Sequence, residues 1–322
     1  MKFRTEYIPE RFPFTLSIDR PVLAVGSCFS NNITQRMRQA AWNAQTPLGV
    51  LFNPLSIERA LRMALFDSNA AADFTNSMFR IEDVYHSFLF DSSFSSVSKQ
   101  KCIEHFGNSI TTARELLERG NTLIVTFGTA WCYFLTGSED EVVANCHKLP
   151  AANFVRRRVS PQEITALWKN MICDLKSRYP NIRIIFTVSP VRHVRDGLPE
   201  NALSKAVLRL AVNELCSEFE CCSYFPAYEI LCDDLRDYRF YSSDLVHPSD
   251  TAVNYIWEIF KSCLPDDVAR REIERGEKIV AKLSHRPIVS GTEAERIFAE
   301  TTAAEAEQFR LRHPESILGS VT

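Results

Sequence analysis

The chain has 322 residues, 45% of them hydrophobic, enough for one large core with an appendage. A net charge of −3 gives no general attraction for nucleic acid or an anionic membrane, and no stretch nears the roughly 18 apolar residues of a membrane span. Ten cysteines are scattered without Cys-x-x-Cys spacing, and Met1-Lys-Phe-Arg-Thr-Glu runs into Tyr7 with no apolar leader, so the expectation is a cytoplasmic protein with reduced thiols, no metal and no cofactor.

Val22-Leu-Ala-Val25 is a short apolar run, hence a buried strand, and it ends in Gly26-Ser27-Cys28-Phe29-Ser30. A Gly-Ser turn between that strand and the polar helical stretch Asn31–Trp42 delivers the Ser27 hydroxyl to the end of a sheet. Cys28, a rival nucleophile in the same turn, is expected to pack structurally. Ser56 can cap a helix reaching Leu65. Asp67 to about Gly107 breaks the rhythm: rich in Ser and Phe and without a long amphipathic helix, it reads as an insertion near the sheet's end. It is a lid or a packed excursion, and His86 within it is a candidate to reach a pocket.

Thr111–Arg119 continues another helix, and Leu123–Phe127 is a second strand ending in Gly128-Thr129. Asn145-Cys146-His147-Lys148 packs polar functions into a loop, so Asn145 and His147 either line a site or serve the loop itself. Arg156-Arg157-Arg158 reads as solvated surface. Ser160-Pro161-Gln162-Glu163 unites an N-cap, a proline at the first helical position and a capping-box glutamate, starting a helix to about Ser177. Ile184–Val188 is a third strand, leading through Ser189-Pro190 to His193, and Asn201 to about Phe219 is helical. Asp233-Asp234 and Asp237 read as a solvated acidic face. Beyond Pro265, Asp266–Leu283 and Glu293–Arg312 form two appended helices suited to packing or self-association.

Strands alternating with helices predict a three-layer α/β/α fold with a mainly parallel sheet. The expected division is a domain over 1–265, with the insertion at about 67–107, and a helical extension over 266–322. Ligands on such sheets sit at the carboxyl ends of strands, where Gly26-Ser27, Gly128-Thr129 and Pro190–His193 all fall.

Asp244-Leu-Val-His247-Pro248 sets a carboxylate three residues before an imidazole, ahead of the helix-start residues Ser249-Asp250. Ser27, His247 and Asp244 would supply nucleophile, base and orienter for acyl transfer. The competing account has Ser27 as a turn residue and Asp244/His247 as a surface pair capping the last helix. Gly-x-Gly-x-x-Gly and Walker spacing are absent, so nothing points to a nucleotide.

Gly26-Ser-Cys-Phe-Ser30 resembles the signature of the GSCFA family, with Ser30 in place of its final Ala. Phe52-Asn-Pro54, Phe127-Gly-Thr-Ala-Trp131, Asn145-Cys-His-Lys148, Val188-Ser-Pro-Val-Arg-His193 and Leu235–Tyr241 leading to Asp244 and His247-Pro248 extend the resemblance over roughly residues 2 to 265. That family is similar to SGNH/GDSL hydrolases, which have a flavodoxin-like sheet. The resemblance implies Ser27, His247 and Asp244 as the triad, with the amides of Ser27 and Gly49 in the oxyanion hole. The asparagine those hydrolases use there falls on Ala130, leaving Thr129, Asn145 or His193 as replacements. The expectation is an esterase or acyltransferase for a small ester, such as an O-acetylated carbohydrate, with His193, Asn145, His147 and His86 toward substrate. A catalytically silent pocket protein is the alternative, and the C-terminal helices are candidates for forming a homo-oligomer.

Overall fold

The computed structural model describes residues 4–318, apart from the side chains of Glu139 and Asp140. The outermost residues of the two expected domains, 1–3 and 319–322, lie outside the described range.

In chain order the elements begin with β1 (Val22–Gly26), α1 (Cys28–Gln39), β2 (Ala44–Gln45), α2 (Pro54–Leu65), α3 (Ala70–Asn76), β3 (Met78–Ile81) and β4 (Val84–Ser87). Next come α4 (Lys99–Gly120), β5 (Thr122–Phe127), β6 (Trp131–Leu135), β7 (Ser138–Val143), β8 (Phe154–Arg158), α5 (Pro161–Arg178), β9 (Arg183–Val188) and α6 (Leu198–Glu218). The chain ends with β10 (Cys222–Phe225), the short α7 (Ala227–Glu229), α8 (Asp250–Ser262), α9 (Asp267–Leu283) and α10 (Glu293–Arg312).

Five strands form the central sheet in the order β10-β9-β5-β1-β2, all parallel. Side chains alternate between its faces, as the two-residue strand period demands. From β1, Leu23 and Val25 join the core shared with α2, α4, α5 and α6, whereas Val22 and Ala24 join the core shared with α1, α8 and α9. Helices therefore cover both faces, and the α/β sandwich expected from the sequence is the observed fold. Counted along the chain, the central strands run 2-1-3-4-5, so the order reverses between β1 and β5. That crevice, outside the carboxyl ends of the strands, is where doubly wound sheets hold ligands.

The three expected strands are all present, each starting one residue earlier or ending one later than its apolar run. The capping box at Ser160–Glu163 forms with both reciprocal bonds. Helix α2 begins before Ser56: Asn53 is its cap, accepting from Ser56 N–H, and Pro54 takes the first helical position. The insertion is shorter than expected. Helix α4 starts at Lys99 under a Ser98 cap, leaving α3 and the β3–β4 hairpin as the excursion. Its hairpin side packs Phe74, Phe90, Phe94 and Phe106 into one aromatic cluster. It also meets the loop after β2, where Asp91 Oδ2 accepts from Val50 N–H at 2.8 Å.

A second sheet, β7-β6-β8, was not read from the sequence and is antiparallel. Arg156, Arg157 and Arg158 lie on its β8 edge, each bonded to a carboxylate: Asp196, Glu163 and Glu200 respectively. The basic cluster is thus neutralised rather than freely solvated. Asp234 is also no part of a solvated acidic face, being 5% exposed and accepting from Tyr255 Oη–H at 2.8 Å. The C-terminal helices pack onto the sandwich, burying Ile273, Ile279 and Phe309 in the core beside α1. Gly276 of α9 lies so close to α1 that a Cβ there would sit 2.2 Å from Ala40 O.

Candidate active site

Ser27 closes β1 and caps α1. Gly26 before it has φ +135°, and a side chain at that position would collide with Thr126 O of β5 at 2.1 Å. Only glycine allows this turn. Ser27 is 1% exposed, and its Oγ accepts from Phe29 N–H at 3.4 Å, the N-cap bond of α1. Burial pushes the neighbouring Cys28 thiol up, which suits a packing role rather than a nucleophile.

Asp244 and His247 form a tight turn before α8, with Leu245 between them at φ +59°. Asp244 Oδ1 accepts from the backbone N–H groups of Val246 and His247, and Oδ2 lies 2.6 Å from His247 Nδ1. The two backbone bonds, followed by the imidazole bond, hold the Asp244 carboxyl down at about 2. An ionised carboxylate on Nδ1 keeps the proton there and leaves Nε2 as the basic nitrogen. The turn is tied toward the sheet end by Arg192 N–H donating to Val246 O at 3.4 Å. Asp244 is close enough for its charge to raise the Cys28 thiol. Even so, Ser27 and His247 form no hydrogen bond with each other: the hydroxyl is deep, and the imidazole is about half exposed.

Three of the expected oxyanion donors are occupied. Ser27 N–H donates to Thr126 O at 3.1 Å, Gly49 N–H to Thr46 O at 3.3 Å, and Thr129 N–H to Phe52 O at 3.0 Å. The Thr129 hydroxyl lies 3.1 Å from Ser204 Oγ and accepts from Trp131 N–H. Ala130, in the asparagine's place, is fully buried and offers only its backbone N–H, which Ser204 Oγ accepts.

Of the residues expected on the substrate side, His193 borders Gly128 together with Ser27. A Cβ built on Gly128 would be 3.3 Å from Ser27 Cβ and 3.4 Å from His193 Nε2, so the serine side chain and the imidazole flank one gap that a bare glycine keeps open. His193 Nε2 is buried and has no hydrogen-bond partner. Burial first, then the charge of Lys205, push this imidazole down to about 4. His86 of the β3–β4 hairpin and His147 of the loop after β7 instead meet each other, ring centroids 4.6 Å apart. His147 Nε2 lies 2.8 Å from Ser87 O and His86 Nδ1 2.8 Å from Ser95 Oγ, while Asn145 Oδ1 accepts from His147 N–H. None of these three hydrogen-bonds to Ser27, Asp244 or His247.

Lys205 was missed. It is 1% exposed, and Nζ donates to Gly128 O and Ser189 O, both at 2.7 Å. Burial pushes its ammonium down to about 7. The signal was available: Asn201, Ser204, Lys205, Leu208, Ala211, Val212 and Leu215 mark the buried stripe of α6, so Lys205 had to point inward.

An apolar cavity of about 470 Å³ lies in the C-terminal hairpin, lined by Leu283, Ile288, Phe298 and Ala299, away from this sheet end. Among the described residues no His/Cys/Asp/Glu group is arranged to hold a metal ion, and no helix is long and apolar enough to cross a membrane.

The GSCFA family model matches residues 21–260, which takes in both Ser27 and the Asp244–His247 turn. The match covers most of the chain, and the chain belongs to the GSCFA family. No curated protein and no solved structure matches it.

Proposed function

We propose that this GSCFA-family protein is a serine-dependent ester hydrolase or acyltransferase acting on a small ester such as an O-acetylated carbohydrate. The observation that carries the reading is the Asp244–His247 pair, oriented by three hydrogen bonds to one carboxylate, held at the same sheet end as the Ser27 turn. Ser27 Oγ attacks the acyl carbonyl as its proton passes to His247 Nε2. The tetrahedral intermediate collapses, His247 protonates the leaving alcohol, and an acyl-Ser27 ester remains. Water or a second alcohol then takes the acyl group by the same steps in reverse. Substrate entry has to draw His247 and Ser27 together, since apo catalytic bonds commonly tighten only in the complex.

The absent Ser27–His247 bond and the occupied amides favour a second reading, a pocket that binds a carbohydrate or acyl ligand without turnover. A fluorophosphonate probe and a short-chain ester separate the two. The enzyme reading expects labelling at Ser27 and turnover that Ser27→Ala abolishes. Turnover surviving in pure Ser27→Ala rejects Ser27 as nucleophile, and a folded wild type that neither labels nor hydrolyses leaves the binder. Self-association through the C-terminal hairpin, where Ile288 and Val289 are exposed, is a separate proposal.

A further inference from the structure

Lys205 is an isolated cation in the core, hydrogen-bonded to no carboxylate. Its two acceptors are Gly128 O and Ser189 O, the first residues beyond β5 and β9. The loops they begin are the ones that carry Ala130 and His193. One amine therefore ties together both loops bordering the gap beside Ser27. On the second loop, His193 N–H donates to Asn201 Oδ1 at 2.9 Å, and the ring stands edge-on to Phe52 at 5.8 Å. The backbone is thus anchored and the ring braced by Phe52, while its Nε2 remains buried and unpaired. Buried polar atoms are rarely left so, and each exception calls for an explanation. The other replacements for the missing asparagine are engaged elsewhere: Thr129 with Ser204 and Trp131, Asn145 with His147.

We propose that His193, through Nε2–H, is the oxyanion donor standing in for the asparagine that Ala130 displaces, and that Lys205 is the positioning residue that sets its loop against Gly128. The inference rests on the esterase reading. When Ser27 Oγ bonds to the acyl carbon, the carbonyl π pair moves onto oxygen, and His193 Nε2–H donates to that oxyanion. The pair returns when the C–O bond to the alcohol breaks, and His193 neither gains nor loses a proton. A neutral donor is what this role requires. The groups facing the ring are Lys205 from α6, Arg156 from β8, His247 from the turn before α8, and Asp196 from its own loop; of these only Asp196 favours imidazolium. Gly128 matters because any side chain would fill the space between donor and nucleophile.

The test uses the full chain, a short-chain ester, the fluorophosphonate and NMR of the His193 ring protons. His193→Ala should lower kcat by ~10²–10³-fold with KM little changed, the loss typical of one oxyanion donor. His193→Gln, which keeps an N–H donor, should recover part of it. In the wild type the ring should titrate at about 4, and in Lys205→Met its titration should move upward as kcat falls. A scaffold-only Lys205 would not move that titration. Wild-type kcat in His193→Ala, or an unmoved titration in a folded Lys205→Met, overturns the inference while Ser27 labelling keeps the esterase reading intact. Wild type without labelling or turnover overturns both.

Discussion

Lys205 and Lys261 are both buried, 1% and 6% exposed, and the molecule treats them in opposite ways. Lys261, at the end of α8, meets Glu277 at 3.0 Å and Glu258 at 2.8 Å, and Glu277 also accepts from Trp257 Nε1–H. Burial opposes its charge, but the bonds to the two glutamates outweigh it and hold the ammonium above its ordinary range. Lys205, at the carboxyl end of the sheet, has only carbonyl oxygens, and burial lowers it. In the C-terminal region the His313 imidazole is likewise set between two carboxylates, Asp19 and Glu272. At the sheet end two buried nitrogens lack such partners: the Lys205 ammonium meets only carbonyls, and His193 Nε2 meets nothing. A buried charge with its carboxylates in place adds to stability, whereas a buried polar group without a partner calls for its own explanation.

The contrast can be broken first at Glu277. Glu277→Leu leaves Lys261 with only the more exposed Glu258 and strands Trp257 Nε1, and should cost about 3 kcal/mol of unfolding free energy in urea titration. Ser27 labelling should be unchanged, because Glu277 lies outside the site. A stability loss below about 1 kcal/mol would mean the buried set is not a structural anchor.

The second effect is a pH dependence centred on His193. Its folded value of about 4 lies below the ordinary imidazole range, so between roughly pH 4 and 6.5 the unfolded chain binds more protons. Stability should rise with pH through that window, and the burial penalty is complete below it. Relative to His193→Gln, the wild type should gain about 2 kcal/mol from pH 4 to 6.5 in denaturant titrations, partial exposure having reduced the full shift. Parallel curves would place a protonatable imidazole there.

The smallest effect belongs to Lys205→Met. Removing a lone buried ammonium relieves desolvation but strands Gly128 O and Ser189 O, and the two nearly cancel, to within ~1 kcal/mol. A variant that stays as stable as the wild type yet loses activity would set Lys205 apart from Lys261 by direct measurement. A loss as large as that of Glu277→Leu would erase the distinction.

Local signals made much of this legible in the sequence. The Gly26-Ser27 turn, the Ser160–Glu163 capping box and the Asp244-x-x-His247 turn are each fixed by residues within a few positions of one another. The first half of α4 was obscured because its buried stripe, Cys102, Phe106, Ser109 and Ala113, keeps helical spacing but includes small and polar members. The Lys205 contacts were beyond local reading. Its acceptors lie 77 and 16 residues away, and only the packing of α6 onto β9, beside β5 in the sheet, brings their carbonyls to one amine. The meeting of Ser27 with His193 over Gly128 likewise depends on the parallel register of β1, β5 and β9.

Helix α1 is stopped at both ends by a close approach that only glycine permits: a side chain on Gly26 would meet Thr126 O at its start, and one on Gly276 of α9 would meet Ala40 O just past its end. Twelve helical residues separate those stops, a strut about 18 Å long that hardly compresses along its axis. The helix that Ser27 caps is therefore also a seat for the C-terminal hairpin, so the helices beyond residue 265 share a packing surface with the element that begins at the serine turn.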